Sequence, residues 1–122
     1  MARRVLIVDD EESTRLLLGR ILESIPGLDT TLADSGEAAL KMLAERPFDL
    51  ILLDLMMPGI GGIEALTRIR NSKANQKTPV IVVSVLADAP TKNVCRSMGV
   101  VEYIVKPIER QALVKAVEGA LA

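Results

Sequence analysis

The feature that most constrains this chain is a rhythm. Short runs of Val, Ile and Leu alternate five times with longer amphipathic segments. The short runs are Val5–Val8, Leu28–Ala33, Leu50–Leu53, Val80–Val83 and Val101–Val105. Three of them are nearly continuous apolar stretches, as strands buried on both faces must be. Leu28–Ala33 mixes in Asp29 and two threonines and predicts a strand nearer an edge. Helices are predicted between the runs. Ser13–Ile25 carries Leu18, Ile21, Leu22 and Ile25 at helical spacing. Gly36–Arg46 follows an Asp34-Ser35 cap, has Glu37 in its first turn and stops at Pro47. Gly62–Arg70 carries Ile63, Leu66 and Ile69. Pro90–Met98 opens with Pro in its first turn and closes at Gly99. Arg110–Leu121 repeats Leu113, Val117 and Leu121 on one face.

Strand then helix, five times over, predicts an α/β fold with a parallel sheet and helices on both faces. Right-handed crossovers restrict its topology. For five strands the doubly wound order 2-1-3-4-5 is the common solution. The 122 residues suit one domain, and 49% hydrophobic content supplies a core that needs no disulfide or structural metal.

Composition removes several functional classes. The formal net charge is -1, from 15 basic and 16 acidic residues, which argues against a charge-driven nucleic-acid binder. Histidine is absent, so neither a Ser-His-Asp triad nor a His-ligated zinc can be built within the chain. Cys95 is the only cysteine and is expected to be a half-buried helix residue. Phe48 and Tyr103 are the only aromatics, too few for a base-stacking platform. The N-terminus, Met-Ala-Arg-Arg-Val, runs into a strand and has no signal-peptide pattern; no apolar run is long enough for a membrane span. A cytoplasmic location, with no membrane contact and no direct nucleic-acid binding, is the resulting expectation.

In a doubly wound sheet, ligands bind beyond the carboxyl ends of the strands where the winding reverses. With order 2-1-3-4-5, that point lies between the first and third strands. Their ends carry Asp9-Asp10 and Asp54. Three carboxylates brought together repel unless protons or a cation compensate, and a hard divalent cation such as magnesium suits an all-oxygen set. Taken singly, Asp9 and Asp10 could merely cap the first helix and Asp54 could merely open a turn. Ser84 ends the fourth strand and Lys106-Pro107 follows the fifth, so a hydroxyl and an ammonium open onto the same rim. Both can bind phosphate oxygens. No Gly-x-x-x-x-Gly-Lys-[Ser/Thr] loop occurs, so no ATP site is recognisable. Asp54 could itself accept a phosphoryl group as an acyl phosphate.

Four segments together resemble the receiver domain of two-component response regulators. They are Val5-Leu-Ile-Val-Asp-Asp-Glu11, Leu50-Ile-Leu-Leu-Asp-Leu-Met-Met-Pro-Gly59, Pro79-Val-Ile-Val-Val-Ser84 and Tyr103-Ile-Val-Lys-Pro107. They fall in family order and spacing across essentially the whole chain. The resemblance implies a flavodoxin-like receiver fold over residues 1–122, with five helices and no output domain in this sequence. It implies that Asp54 takes phosphate from a histidine kinase or histidine phosphotransfer protein. Asp10 would be a direct ligand of Mg2+ (or Mn2+), Asp9 would help hold the metal through water, and Met56 would give a backbone carbonyl. Ser84 and Lys106 would contact the phosphate, and Lys106-Pro107 would be cis. Tyr103 would be the switch aromatic, turning inward as Ser84 moves. The face formed by the fourth helix, fifth strand and fifth helix would bind an effector, and a homodimer through that face is left open. On this reading the chain is a signalling switch rather than an enzyme, catalysing only its own phosphoryl transfer and dephosphorylation.

Three positions depart from the family pattern. Val85 stands where Ala or Gly is usual, and its bulk would narrow access to Asp54. Gly61 stands where many members have Asp, and Ile108 follows Lys-Pro where Phe is common. Three other classes fit less well. A haloacid-dehalogenase-type phosphohydrolase wants Asp-x-Asp, whereas Met56 stands two residues after Asp54. A pseudo-receiver that signals without phosphate has usually lost acids or the lysine, and has only Val85 in its favour here. A flavin carrier would meet repulsion from Asp9-Asp10-Glu11-Glu12.

Overall fold

The structure is a computed structural model and describes residues 2–122. Its elements follow the order β1 (Arg3–Val8), α1 (Glu12–Glu23), β2 (Leu28–Ala33), α2 (Gly36–Glu45), β3 (Leu50–Leu53), α3 (Gly61–Asn71), β4 (Val80–Ser84), α4 (Ala89–Ser97), β5 (Val100–Val105) and α5 (Arg110–Leu121). A 3₁₀ turn at Lys73–Asn75, which has no periodicity to announce it, lies between α3 and β4. All strand pairs are parallel, in the order β2-β1-β3-β4-β5.

Strand side chains alternate between two cores. Leu6, Val8, Ile51, Leu53, Val80 and Val82 face α2, α3 and α4, meeting Leu43, Leu66, Ile69 and Cys95. Val5, Ile7, Leu50, Leu52, Ile81 and Val83 face α1 and α5, meeting Leu18, Leu22, Leu113 and Val117. The central strands are therefore apolar over Val5–Val8, Leu50–Leu53 and Val80–Val83, because both of their faces are covered there. Each such Leu or Ile, fully buried, contributes about 1.5–3 kcal/mol. β2 and β5 are the two sheet edges, and both are partly exposed.

The ends of elements differ from the sequence expectations for local reasons. β1 starts at Arg3 because Arg3 and Arg4 pair in register with Leu28 and Asp29. α1 stops before Ser24, whose hydroxyl bonds the Ile21 carbonyl at 2.6 Å. Pro26 disfavours helical backbone at Ile25, and Gly27 turns the chain with φ +80. α2 is capped by Ser35, whose Oγ accepts from the Ala38 N–H at 3.0 Å. α4 is capped by Asp88, which accepts from the Thr91 N–H at 3.0 Å. Gly99, at φ +77, follows the end of α4.

Two side chains behave differently from expectation. Cys95 is fully buried rather than half-buried, packed under α4, and burial raises its thiol pKa. Arg70, at the end of α3, points inward and donates to four carbonyls: Met98 and Thr78 at 2.7 Å, Asn75 at 3.0 Å and Gly99 at 3.3 Å. It ties the end of α3 to the α4–β5 turn and to the segment entering β4. Burial lowers its pKa.

Candidate functional site

The register of the sheet makes the site. Val8 pairs with Ala33 on one side and Leu53 on the other, and Leu53 pairs with Val82. The ladder then continues one residue further. The Asp9 N–H donates to the Ala33 carbonyl at 3.1 Å, and the Asp54 N–H donates to the Val8 carbonyl at 3.0 Å. Asp9 and Asp54 are thereby placed side by side at the carboxyl edge. Asp10 follows on the exposed turn. Carboxylate oxygens of Asp9, Asp10 and Asp54 all lie within 4.8 Å of one another.

Asp9 and Asp54 are buried, 1% and 4% exposed, so their charges need partners. Lys106 supplies one to both. Its Nζ lies 2.9 Å from Asp9 Oδ2 and 3.3 Å from Asp54 Oδ2. The opposite oxygens are held by backbone. Asp9 Oδ1 accepts from the Glu11 N–H at 2.9 Å, and Asp54 Oδ1 accepts from the Met56 N–H at 3.1 Å. Burial and then the charge of Asp9 raise the Asp54 pKa, against the opposing pull of the Met56 N–H and Lys106. For Lys106, burial acts to lower the pKa, but the bond to Asp9 and the charges of Asp54 and Asp9 outweigh it and raise the value. The donors are all oxygen, and one ammonium does not balance three carboxylates. That set fits a hard divalent cation.

Lys106 is aimed by its own backbone, since its N–H donates to the Ser84 carbonyl at 2.9 Å. The Lys106–Pro107 peptide is cis. Ser84 is fully buried at the end of β4, and its Oγ accepts from the Leu86 N–H at 3.2 Å. Tyr103 is half-buried, its hydroxyl donates to the Leu86 carbonyl at 2.7 Å, and the Lys92 ammonium sits 5.6 Å from its ring centre. Ser84 and Tyr103 therefore share one residue, Leu86, rather than touching the acids directly. Met56 is 53% exposed and Val85 57% exposed.

Sequence reasoning missed two contributors. At Gly62, a Cβ would fall on the Asp54 carbonyl oxygen and the Leu55 Cα, both backbone atoms. The Gly62 N–H donates to the Leu55 carbonyl at 3.0 Å, which brings the first turn of α3 hard against the Asp54 segment. The signal was the Gly61-Gly62 pair soon after Pro58-Gly59. Arg15 is the other. Its guanidinium donates to the Asp9 carbonyl at 2.7 Å. A cation six residues after Asp9, on the first turns of a predicted helix, was the available signal.

Comparison with known proteins bears directly on this arrangement. The model of the response regulator receiver domain matches residues 5–118. The chain belongs to that family. It is 38% identical over 113 residues to the signal transduction histidine-protein kinase BarA of Escherichia coli (strain K12), covering 93% of this chain and 12% of BarA. It is 36% identical to the uncharacterized transcriptional regulatory protein YkoG of Bacillus subtilis (strain 168), covering 96% of this chain and 50% of YkoG. The chain thus spans half or less of these curated relatives. Among solved structures, the chemotaxis protein CheY4 of Vibrio cholerae superposes with a TM-score of 0.91 at 26% identity, covering 99% of this chain and 100% of that one. The doubly wound receiver fold and the membership of two-component signalling are thereby established. No helix among the described residues is long and apolar enough to cross a membrane.

Proposed function

We propose that this receiver domain accepts a phosphoryl group on Asp54 from the phosphohistidine of a separate histidine kinase or phosphotransfer protein. The observation that carries this reading is the juxtaposition of three carboxylates at two adjacent strand ends with the Lys106 ammonium bridging two of them. The donor phosphohistidine lies outside these 122 residues, which contain no histidine. Asp9, Asp10, Asp54 and the Met56 carbonyl would hold magnesium or manganese. When bound, the cation neutralises charge developing on the transferred group.

The chain's own residues do the rest. An Asp54 carboxylate oxygen forms the new O–P bond as the P–N bond of the donor breaks, and the electron pair stays on the departing imidazole. The Met56 N–H holds the other Asp54 oxygen and orients the nucleophile. Lys106 can exchange its contact with Asp54 for a phosphoryl oxygen while keeping Asp9. Ser84 can donate its hydroxyl hydrogen to the phosphoryl group, and a rotation that carried Oγ toward that group would draw it away from the Leu86 N–H. That would unsettle the backbone to which Tyr103 is bonded, and so bias the β4–α4 loop. The face of α4, β5 and α5 would carry the change to an effector, and Val94 and Val101 leave apolar surface there, 45% and 54% exposed.

The test is intact-mass spectrometry after incubation with acetyl phosphate. A single phosphoryl adduct that requires magnesium and is absent from Asp54→Asn supports the reading. An adduct at full yield in Asp54→Asn refutes Asp54 as acceptor.

A further inference from the structure

Asp9 is fixed at four atoms. Its N–H bonds Ala33, its Oδ1 bonds the Glu11 N–H, its Oδ2 bonds Lys106, and its carbonyl accepts from Arg15 Nη1 at 2.7 Å. The last of these has a particular consequence. The Asp9 carbonyl belongs to the peptide that leads into Asp10, so fixing its direction fixes the plane from which Asp10 departs. Asp10 is exposed, and it follows a buried residue at the start of a turn. Beyond Asp10, Glu11 at the helix N-cap is held by its N–H on Asp9 Oδ1 and by Thr14 Oγ1 on its carboxylate at 3.2 Å, but its side chain caps no backbone N–H. Arg15 is the side chain that ties the body of α1 back to the end of β1.

We infer that Arg15 is a positioning residue for the cation site: it holds the Asp9–Asp10 peptide so that Asp10 faces Asp54. This rests on the reading that the acid cluster binds a divalent cation. The inference makes a prediction opposite in sign to simple electrostatics. Arg15 is a positive charge close to a proposed cation site, so deleting it should tighten cation binding if charge alone matters. If Arg15 acts by orientation, deleting it should loosen binding, as losing an outer-sphere partner does at other metal sites.

The experiment is calorimetric titration of the full chain with magnesium chloride, with thermal melts run alongside. Arg15→Ala is expected to weaken magnesium binding about tenfold with its melting temperature little changed. Arg15→Lys, which keeps a donor of similar reach, should recover much of the loss. Magnesium binding that Asp10→Asn removes but Arg15→Ala leaves equal or tighter would overturn the inference alone. Absence of magnesium binding in the wild-type chain would overturn the cation reading, and the inference with it. Should Arg15→Ala melt early, Arg15→Met keeps the aliphatic stem without the donor and carries the same prediction.

Discussion

The hydroxyls of Ser84 and Tyr103 bond to opposite ends of one residue: Ser84 Oγ accepts from the Leu86 N–H at 3.2 Å, and Tyr103 donates to the Leu86 carbonyl at 2.7 Å. A change at the buried serine can therefore reach the aromatic through the Leu86 backbone. Tyr103→Phe should uncouple them. Hydrogen exchange at the amides just after Ser84 is expected to quicken several-fold, while the yield of phosphoryl labelling stays the same. Unchanged exchange would show that the tyrosine hydroxyl does not restrain the loop.

Asp54 is held at a cost to stability. The folded state raises the Asp54 pKa above 3.8, chiefly by burial and then by the charge of Asp9. The native state therefore binds more protons than the unfolded chain in that window, so this group's contribution to stability falls as pH rises through it. Asp54→Asn removes the ionisation and keeps an acceptor for the Met56 N–H. Without divalent cations at pH 7 its melting temperature should rise by a few degrees, and the gain should shrink toward pH 3. A lower melting temperature at pH 7 would mean that the Lys106 contact outweighs the burial.

Three groups make the fold sensitive to alkali. The pKa values of Cys95, Tyr103 and Lys106 are raised from 9.0, 10.0 and 10.5 respectively. Burial raises the first two. In Lys106 burial is overcome by Asp9 and Asp54. Each group holds its proton longer in the native state than in the unfolded chain, so stability falls as pH climbs past these values. The Lys106 share is present below its unfolded value and is lost as pH passes its folded one. Urea midpoints from pH 8 to 11 should decline, and Cys95→Ala should flatten the earliest part of the decline. An identical slope in that variant would remove Cys95 from the account.

Gly61 and Gly62 are adjacent but answer to different constraints. Gly61 has φ +74 and open space around it, so Gly61→Ala should cost about 1–2 kcal/mol through backbone strain alone. A Cβ at Gly62 collides with the backbone of Asp54 and Leu55, which cannot swing aside. Gly62→Ala should cost about 1–3 kcal/mol and also slow Asp54 labelling. Equal labelling rates in the two variants would contradict the proposed support of Asp54 by α3.

Much of this was legible because strands buried on two faces leave an unmistakable apolar run. Val5–Val8, Leu50–Leu53 and the β4 run announced the sheet, and the acids that follow them announced its reactive edge. Ser35, Pro90 and Gly99 marked helix ends by local chemistry that needs no tertiary context. What stayed hidden depends on contacts distant in sequence. Arg70 looks like any exposed helix arginine until Met98 and Thr78 are brought to it. Gly62 looks like an ordinary first residue of a helix until α3 is laid against the end of β3. Cys95 carries no neighbour in sequence that reports its full burial. The placement of Lys106 on the same rim as Asp9, 97 residues away, followed from topology, but its bond to Asp9 and the shared grip on Leu86 did not.

The most direct test of the central claim is to locate the modification itself. The chain would be labelled with magnesium and acetyl phosphate, reduced with borohydride, which converts an aspartyl phosphate to homoserine, and digested for tandem mass spectrometry. Homoserine at position 54, dependent on magnesium, is the predicted result. Homoserine at Asp9 or Asp10 with Asp54 intact would contradict the assignment of the acceptor.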